Sequence, residues 1–460
     1  MGESLFHLRE TGADVRTELL AGATTFMVMA YIIFVNPAIL SFAGIPALQG
    51  QGPPFAATVA ATCLVAGVMT ILMGLLSNYP LAMAPGMGLN AVVAFQLVAA
   101  MKLPWPSAMG VIFLEGLIIT VLVLTGFRTA VMDAIPTSLK QAISVGIGLF
   151  LLFIGLVNGG FAKQGQGIPV TLGDLGTPQA LVAIIGLFLT VGLMAWRVRG
   201  ALLIGILLTT AFAILVNYVT GLKAFPTPGM AVIPSGIVAL PDFSTFGRGL
   251  DFGVFARAGW IAGSMAVFSI LLADFFDTMG TVIGIGSQAG WMDARGSLPR
   301  LRQVLLVDSL GALFGGLASS SSSTTYIESA AGVAAGGKTG LTSVFTGACF
   351  LLALFLSPLA GVVPPQATAA ALIVVGFLMC AVVKDIPFAD FDEGFPALVA
   401  ITVMPFTYSI TNGIGAGFVT YTFVKLVRGK GSDIHWMMSV VSLAFLIYFG
   451  HPWLRVVLSF

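Results

Sequence analysis

The residues able to do chemistry in this chain are a few carboxylates set in otherwise apolar sequence. Glu328 stands alone in the serine-rich run 318–337, ASSSSSTTYIESAAGVAAGG. Asp274 and Asp277 lie in SILLADFFDTMGTVIG, Asp308 in VLLVDSLGALF, and Glu115 in IFLEGLII. Ionisable groups at such positions are costly and default to a functional role. A carboxylate accepts hydrogen bonds when ionised and donates one when protonated, so it can hold a polar ligand or carry a proton. Asp274, Asp277 and Thr281 are spaced i, i+3, i+7, one face of a helix. Phe275 and Phe276 offer either an aromatic surface beside it or ordinary packing. Asp308 follows Arg300 and Arg302 and can pair with them or take part in coupling. Glu115 has no partner evident from its neighbours in the chain. Asn90, in LAMAPGMGLNAVVA, adds an amide that both donates and accepts.

Other chemistries find no support. His7, His435 and His451 are too near the termini to join the acids, and Cys63, Cys349 and Cys380 sit singly in apolar segments. A metal site, a disulfide framework and a catalytic triad are therefore not indicated. Walker and GxSxG patterns are missing, and Gly86-Met87-Gly88 continues as Leu89-Asn90, which is no dinucleotide fingerprint. We expect a non-enzyme that needs no cofactor. A net charge of +1 without a basic run argues against nucleic acid.

What positions the acids is a membrane scaffold. Hydrophobic residues make up 58% of the 460, charged ones 8%, and the mean hydropathy is +1.03. That composition excludes soluble domains and implies an all-α polytopic membrane protein in contact with lipid. Apolar runs place spans near 17–41, 55–78, 107–127, 136–158, 177–196, 201–220, 258–282, 301–317, 341–360, 366–383, 395–410 and 412–428. Two interrupted half-length segments, 84–100 and 320–336, bring the count to about fourteen. The stretch 434–459 either lies in the interface or adds a crossing, with His451-Pro452 as a break. Serine-rich backbone at membrane depth must be buried in protein or line a cavity. Thr325-x-x-Glu328 fits a capping box opening a short helix of small residues, whose N-terminal end would point into that cavity.

With the N-terminus cytoplasmic, connectors on that side carry Arg9, Arg16, Arg128, Lys140, Arg197, Arg199, Arg295, Arg300, Arg302, Lys338, Lys384, Lys425, Arg428 and Lys430. The other side holds Lys102, Lys163, Lys223, Arg248 and Arg257. This positive-inside bias appears only if both half-segments count as topological units. The connector 221–257 then lies outside and separates two halves of seven. Sliding LAMAPGMGLNAVVA onto SSTTYIESAAGVAA pairs Leu89-Asn90 with Ile327-Glu328. Seven being odd, the second copy is inverted. Interrupted segments at corresponding places in such repeats point to a substrate site near the midplane.

MAYIIFVNP at 29–37, APGMGLNA at 84–91, FFDTMGT at 275–281 and TTYIESAAGVAAGGKTGLTS at 324–343 resemble the AzgA-like purine permeases of the nucleobase–cation symporter-2 and nucleobase/ascorbate transporter group. The resemblance runs from about Phe6 to Lys430. It implies core and gate domains: a cytoplasmic N-terminus (1–16), core (17–128 and 258–361), gate (129–220 and 362–430), external connector (221–257) and a C-terminal apolar segment (431–460). It implies proton-coupled uptake of purine bases of the adenine, guanine and hypoxanthine class by an elevator movement in the inner (plasma) membrane, and is compatible with a homodimer. The family's substrate-contacting acids match Asp277 and Glu328, and its third-span asparagine matches Asn90. Ala30, Leu89, Phe276, Thr281, Tyr326 and Ile327 complete the expected binding set. Related pyrimidine carriers have a histidine where this chain has Thr281, so their proton route does not transfer whole; Glu328 is the expected coupled group, with Asp277 beside it. A flat neutral base needs an apolar slot and a few fixed polar groups, which this set supplies. The competing reading is a facilitator or channel for a small anion or other small solute, which the two acids disfavour.

Overall fold

The computed structural model describes residues 6–43, 45–125, 135–165, 167–225, 229–234, 236–292 and 298–458. Arg128 and Arg295, among the orienting charges, and the end of the span 107–127 fall outside them. The chain is helical nearly throughout. A single turn, α1 (Leu8–Thr11), precedes α2 (Val15–Met29) and α3 (Ile32–Leu40), which are consecutive pieces broken at Ala30-Tyr31. Then come α4 (Phe55–Ser77), strand β1 (Met83–Pro85), α5 (Met87–Ala91) and a π-helical continuation over Val92–Ala100. α6 (Trp105–Thr125), α7 (Thr137–Asn158), the short hairpin β2 (Ala162–Lys163) and β3 (Thr171–Leu172), α8 (Pro178–Ala195) and α9 (Ala201–Val219) complete the first half.

The rest of the described chain follows in order. α10 (Val254–Ala258) leads into α11 (Trp260–Gln288), α12 (Leu301–Ala318), strand β4 (Ser323–Thr325) and the six-residue α13 (Ser329–Ala334). α14 (Gly340–Ala353), α15 (Ser357–Val362), α16 (Pro365–Met379), α17 (Phe391–Thr407), α18 (Ile410–Val427) and α19 (Trp436–Leu458) follow. Among the described residues, ten helical stretches are long and apolar enough to cross a membrane. Met87–Ala100 and Trp436–Gly450 are shorter apolar helices. The expected break at His451-Pro452 does not occur; the backbone of α19 is helical to Leu458.

The packing is dense with glycine. α4 meets α14 at Gly67 against Gly347 and at Gly74 against Gly340, where a Cβ on Gly340 would lie 1.9 Å from the Gly74 carbonyl oxygen. α6 meets α12 with Gly116 against the backbone of Leu313 and Gly316 against that of Phe113. Elsewhere α7 packs on α16 and α17, α8 on α9 and α16, and α17 on α18. Small residues let helix backbones approach closely, which replaces hydrophobic driving force in lipid.

Residues 229–258 are not a free linker. Ala231 N donates to Val362 O, Ala239 N to Phe355 O and Gly247 N to Leu317 O, while Ser319 Oγ donates to Thr245 O. Asp251 accepts from Ser107 Oγ at 2.5 Å and from Arg257 at 2.9 Å. These bonds hold the carboxyl of Asp251, chiefly through Ser107, below its ordinary range.

Candidate functional site

The site is built where the two interrupted segments meet. β1 and β4 form a two-stranded antiparallel ribbon pairing Met83 with Thr325, Ala84 with Thr324 and Pro85 with Ser323. Extended backbone at this depth needs partners for every N–H and C=O. The ribbon supplies part, Gly86 N adds a bond to Ser322 O at 2.9 Å, and Tyr326 N bonds Ala82 O at 2.9 Å. Thr70 of α4 serves both main-chain groups of Met83, at 2.9 and 3.0 Å. The serine run lies flat on α12 because Gly311 and Gly315 present no side chain there: a Cβ on Gly315 would sit 2.0 Å from Ser321 O. Ser319 and Ser321 take left-handed backbone (φ 64 and 74), so no helix continues through them.

Two corrections to the sequence reading follow from this ribbon. Thr325 does not cap α13; it is a strand residue, and its N–H and hydroxyl both donate to Asp308 Oδ1 at 3.0 Å. Glu328 itself occupies the N-cap position and its side chain makes no capping bond. Asp308 is not the partner of Arg300 or Arg302 either. Its Oδ2 accepts from Thr278 Oγ1 at 2.8 Å, so it ties β4 to α11. Arg300 instead lies over the Tyr79 ring, and Arg302 donates to Leu124 O.

Glu328, freed from capping, accepts a hydrogen bond from the Tyr31 hydroxyl at 2.6 Å. Tyr31 is buried at the break between α2 and α3, and it lies within electrostatic reach of Glu328, Tyr326 and Asp277. Asp277 adjoins Thr278, the donor to Asp308. Both acids are partly exposed, while Asp274 is fully buried with Ser322 Oγ at 3.5 Å. Tyr326 donates to Pro85 O at 2.5 Å, bolting the tip of one half-segment to the other. Asn90 is buried beneath that tip; its Nδ2 makes one long bond to Pro85 O, 3.5 Å, and its Oδ1 has no hydrogen-bond partner among the described residues. A buried amide left this open is suited to a ligand.

The remaining expected residues fall as follows. Ala30 ends α2 one position before Tyr31, and Leu89 lies on α5 beside Asn90; both are buried. Phe276 packs edge-to-face on Phe275 at 5.3 Å, and Thr281 is buried one turn beyond Asp277. Ile327, by contrast, is 46% exposed, and its Cδ1 reaches the Cβ position of Gly284 on α11. Tyr31, Thr278 and the role of Asp308 were missed by sequence reasoning. Tyr31 was findable as the one hydroxyl in MAYIIFVNP; the other two depend on the ribbon's register. Among the described residues no three of His, Cys, Asp and Glu come together in a metal-holding group.

Behind the site, Glu18 at the start of α2 is buried and accepts from five donors: the N–H groups of Lys338, Thr339 and Thr342 and the hydroxyls of Thr339 and Thr342. It thereby caps α14 from another helix. α13 lies directly on α2 between Tyr31 and Glu18, at a glycine, Gly332, whose Cβ would meet Thr25 Oγ1 at 2.0 Å.

Two broken segments joined tip to tip inside a bundle of apolar helices, with chargeable side chains at the junction, define a multi-pass membrane transport protein. The backbone is similar to the solved transmembrane domain of the cyanobacterial bicarbonate transporter BicA, with a TM-score of 0.63 over 86% of this chain and 97% of that one, at 16% identity. That likeness concerns the fold. The model of the Permease family (Xan_ur_permease) matches residues 16–416. The chain is 40% identical to the guanine/hypoxanthine permease PbuO of Bacillus subtilis over 449 residues, covering 96% of this chain and 99% of PbuO. It is likewise 40% identical to the adenine permease AdeP of Escherichia coli, over 97% and 95%. The chain therefore belongs to the Permease family and is a transporter, not an enzyme.

Proposed function

We propose that this protein takes up purine nucleobases of the adenine, guanine and hypoxanthine class across the inner (plasma) membrane, N-terminus inside, driven by a proton gradient. The observation that carries the reading is the junction itself: Glu328 on Tyr31, Asp277 nearby, and the open amide of Asn90 between two broken segments. A purine edge alternates donors and acceptors. Asn90 can take one of each, and a carboxylate can accept from a ring N–H or, once protonated, donate to a ring nitrogen. Relatives along the whole chain are named for purine bases, which supports the same choice.

The mechanism proposed is an elevator on a seven-plus-seven inverted repeat. Its support is the way contacts recur when the halves are exchanged. α4 on α14 corresponds to α12 on α6, α2 on α14 to α11 on α6, and α8 on α9 to α17 on α18. The core would comprise α2 to α6 and α11 to α15; the gate, α7 to α9 and α16 to α18. Both half-segments then ride on one body, so a bound base is carried with it. Glu328 takes the proton when Tyr31 and the substrate share its oxygens, and releases it when the site faces the other side.

The test is uptake of radiolabelled hypoxanthine and adenine by cells lacking their own purine permeases, with a panel of unlabelled bases as competitors and with a protonophore. We expect saturable uptake that purines compete for and the protonophore abolishes. Uptake of neither base would overturn the substrate assignment, and protonophore-insensitive uptake would replace the symporter by a facilitator.

A further inference from the structure

The half-segment carrying Asn90 changes character after one α-helical turn. Val92–Ala100 is π-helical, with Met101 N closing on Gln96 O at 2.9 Å. Widening the helix by a residue per turn re-aims its side chains, and such segments concentrate at functional places. Here the re-aimed side chain is Gln96, buried at the turn where α17 passes into α18. Its Nε2 donates to Thr411 Oγ1 at 2.5 Å, and its Oε1 accepts from Ser409 Oγ at 3.1 Å and from Thr411 N at 3.3 Å.

A cluster of rings surrounds these bonds. Tyr408, in left-handed backbone (φ 51), receives Phe95, Phe150 and Phe153 at 5.4 to 5.7 Å, each near edge-on, and Phe95 also meets Phe42. Gly88, about two turns before Gln96, has Ile147 of α7 where its Cβ would be. The opposite end of the site is different. Ile327 is exposed at the tip of α13, a Cβ on Gly280 would meet open space, and Gly284 has only Ile327 within reach. The half-segment is packed in at the ring cluster, where Phe95 and Phe150 are buried, and exposed at the tip of α13.

We infer that Gln96, Ser409 and Thr411 form a latch that holds the site shut at the Phe95–Tyr408 end, and that its release is required for the site to open there. This rests on the carrier reading above, in which the segment bearing Gln96 slides against α17 and α18. Apolar contacts alone would give a smooth interface with many near-equivalent registers. An amide that donates and accepts at once fits one register only, so it defines a stop. Release is feasible because water entering the opened end replaces the lost partners.

The experiment uses the full chain in proteoliposomes, with Cys63, Cys349 and Cys380 changed to serine and Phe150→Cys as a buried reporter within the ring cluster. A membrane-impermeant maleimide is applied from the Tyr408 end, and hypoxanthine binding and exchange are measured in parallel. Gln96→Leu and, separately, Thr411→Val should each raise the labelling rate about fivefold, the shift expected when one buried hydrogen-bonding set is lost. Hypoxanthine affinity should change less than about twofold, since neither residue lies at the Asn90–Glu328 junction. Unchanged labelling in both variants, each still monodisperse and with an unshifted melting temperature, would overturn the latch. If labelling rises but no purine binds to the parent protein, the latch stands and the substrate reading falls. If exchange is normal but labelling is unchanged, the latch falls and the substrate reading stands.

Discussion

The two interrupted segments start alike and finish differently. Each enters as a three-residue strand of the same ribbon and turns into helix. The first is buried through Val98, continues from α5 into the π segment, and ends at the Gln96 bonds. Its polar offering is main chain plus one amide. The second is rich in hydroxyls, stops after six helical residues, and presents the partly exposed Glu328 and the exposed Ile327. One half-segment is a fixed neutral wall, the other a chargeable tip. A carrier that couples transport to protons needs both, because a group that changes protonation must meet water at some stage while the surface it works against must not rearrange.

The sharpest way to break that comparison is to neutralise the tip. Glu328→Gln keeps the size and the Tyr31 contact but cannot ionise; accumulation against a gradient should vanish while binding and exchange of hypoxanthine persist. Asp277→Asn should instead weaken binding itself. Calorimetry beside uptake at several external pH values separates the two, and wild-type pH dependence in the Glu328 variant would move the proton to another acid.

The next effect comes from the support behind the tip. Glu18→Ala removes one acceptor from five donors at the α13–α14 junction, and we expect a stability loss of about 3 kcal/mol, read as a fall in melting temperature. Asn90→Ala touches the wall. A cost of about 1 to 3 kcal/mol in binding, with a changed ranking of competing bases and normal expression, is expected; an unaltered ranking would take Asn90 out of the site.

Paired glycine substitutions compare the segments directly. Gly332→Ala drives a methyl into Thr25 Oγ1 at 2.0 Å and should lower the transport rate about tenfold, whereas Gly86→Ala has its nearest neighbour at 3.1 Å with ordinary backbone and should change it less than about twofold. Smallest is a pH effect away from the site. Asp392, at the start of α17, is held at about 2 by Arg428 at 2.5 Å and by Lys430 at 2.6 Å. Its folded value lies below the unfolded one, so its contribution is complete above about pH 4 and is lost as pH falls toward 2. Asp392→Asn should flatten melting temperature between pH 5 and 3.

Much of this was legible in the order of residues. Long apolar runs fixed the helices because lipid leaves few alternatives for backbone, and Gly86 with the serine run marked both interruptions for the same reason. Local pairing rules failed where a distant residue competed. Thr325 and Glu328 have the spacing of a capping box, yet Asp308, seventeen residues earlier on another helix, takes the threonine, and Tyr31 takes the glutamate. The π segment has no compositional mark, so nothing in the sequence singles out Gln96. That the external connector is seated on the bundle could not be seen from its composition either: Gly110 and Gly249 let its backbone lie against α6 and α12.

The ribbon carries one more consequence, for how the protein is made. Met83 is synthesised long before Thr325, and among the described residues its strand has no other sheet partner. While the first half is already in the bilayer, part of the main chain of residues 83–85 must be served by water, lipid headgroups or an insertion factor. Such a long-range closure is slow and comes last. The first half, α1 to α9, expressed by itself should therefore remain protease-sensitive near Pro85, and co-expression of the second half should protect it. Biogenesis, not only transport, sets the demand that these two strands find each other.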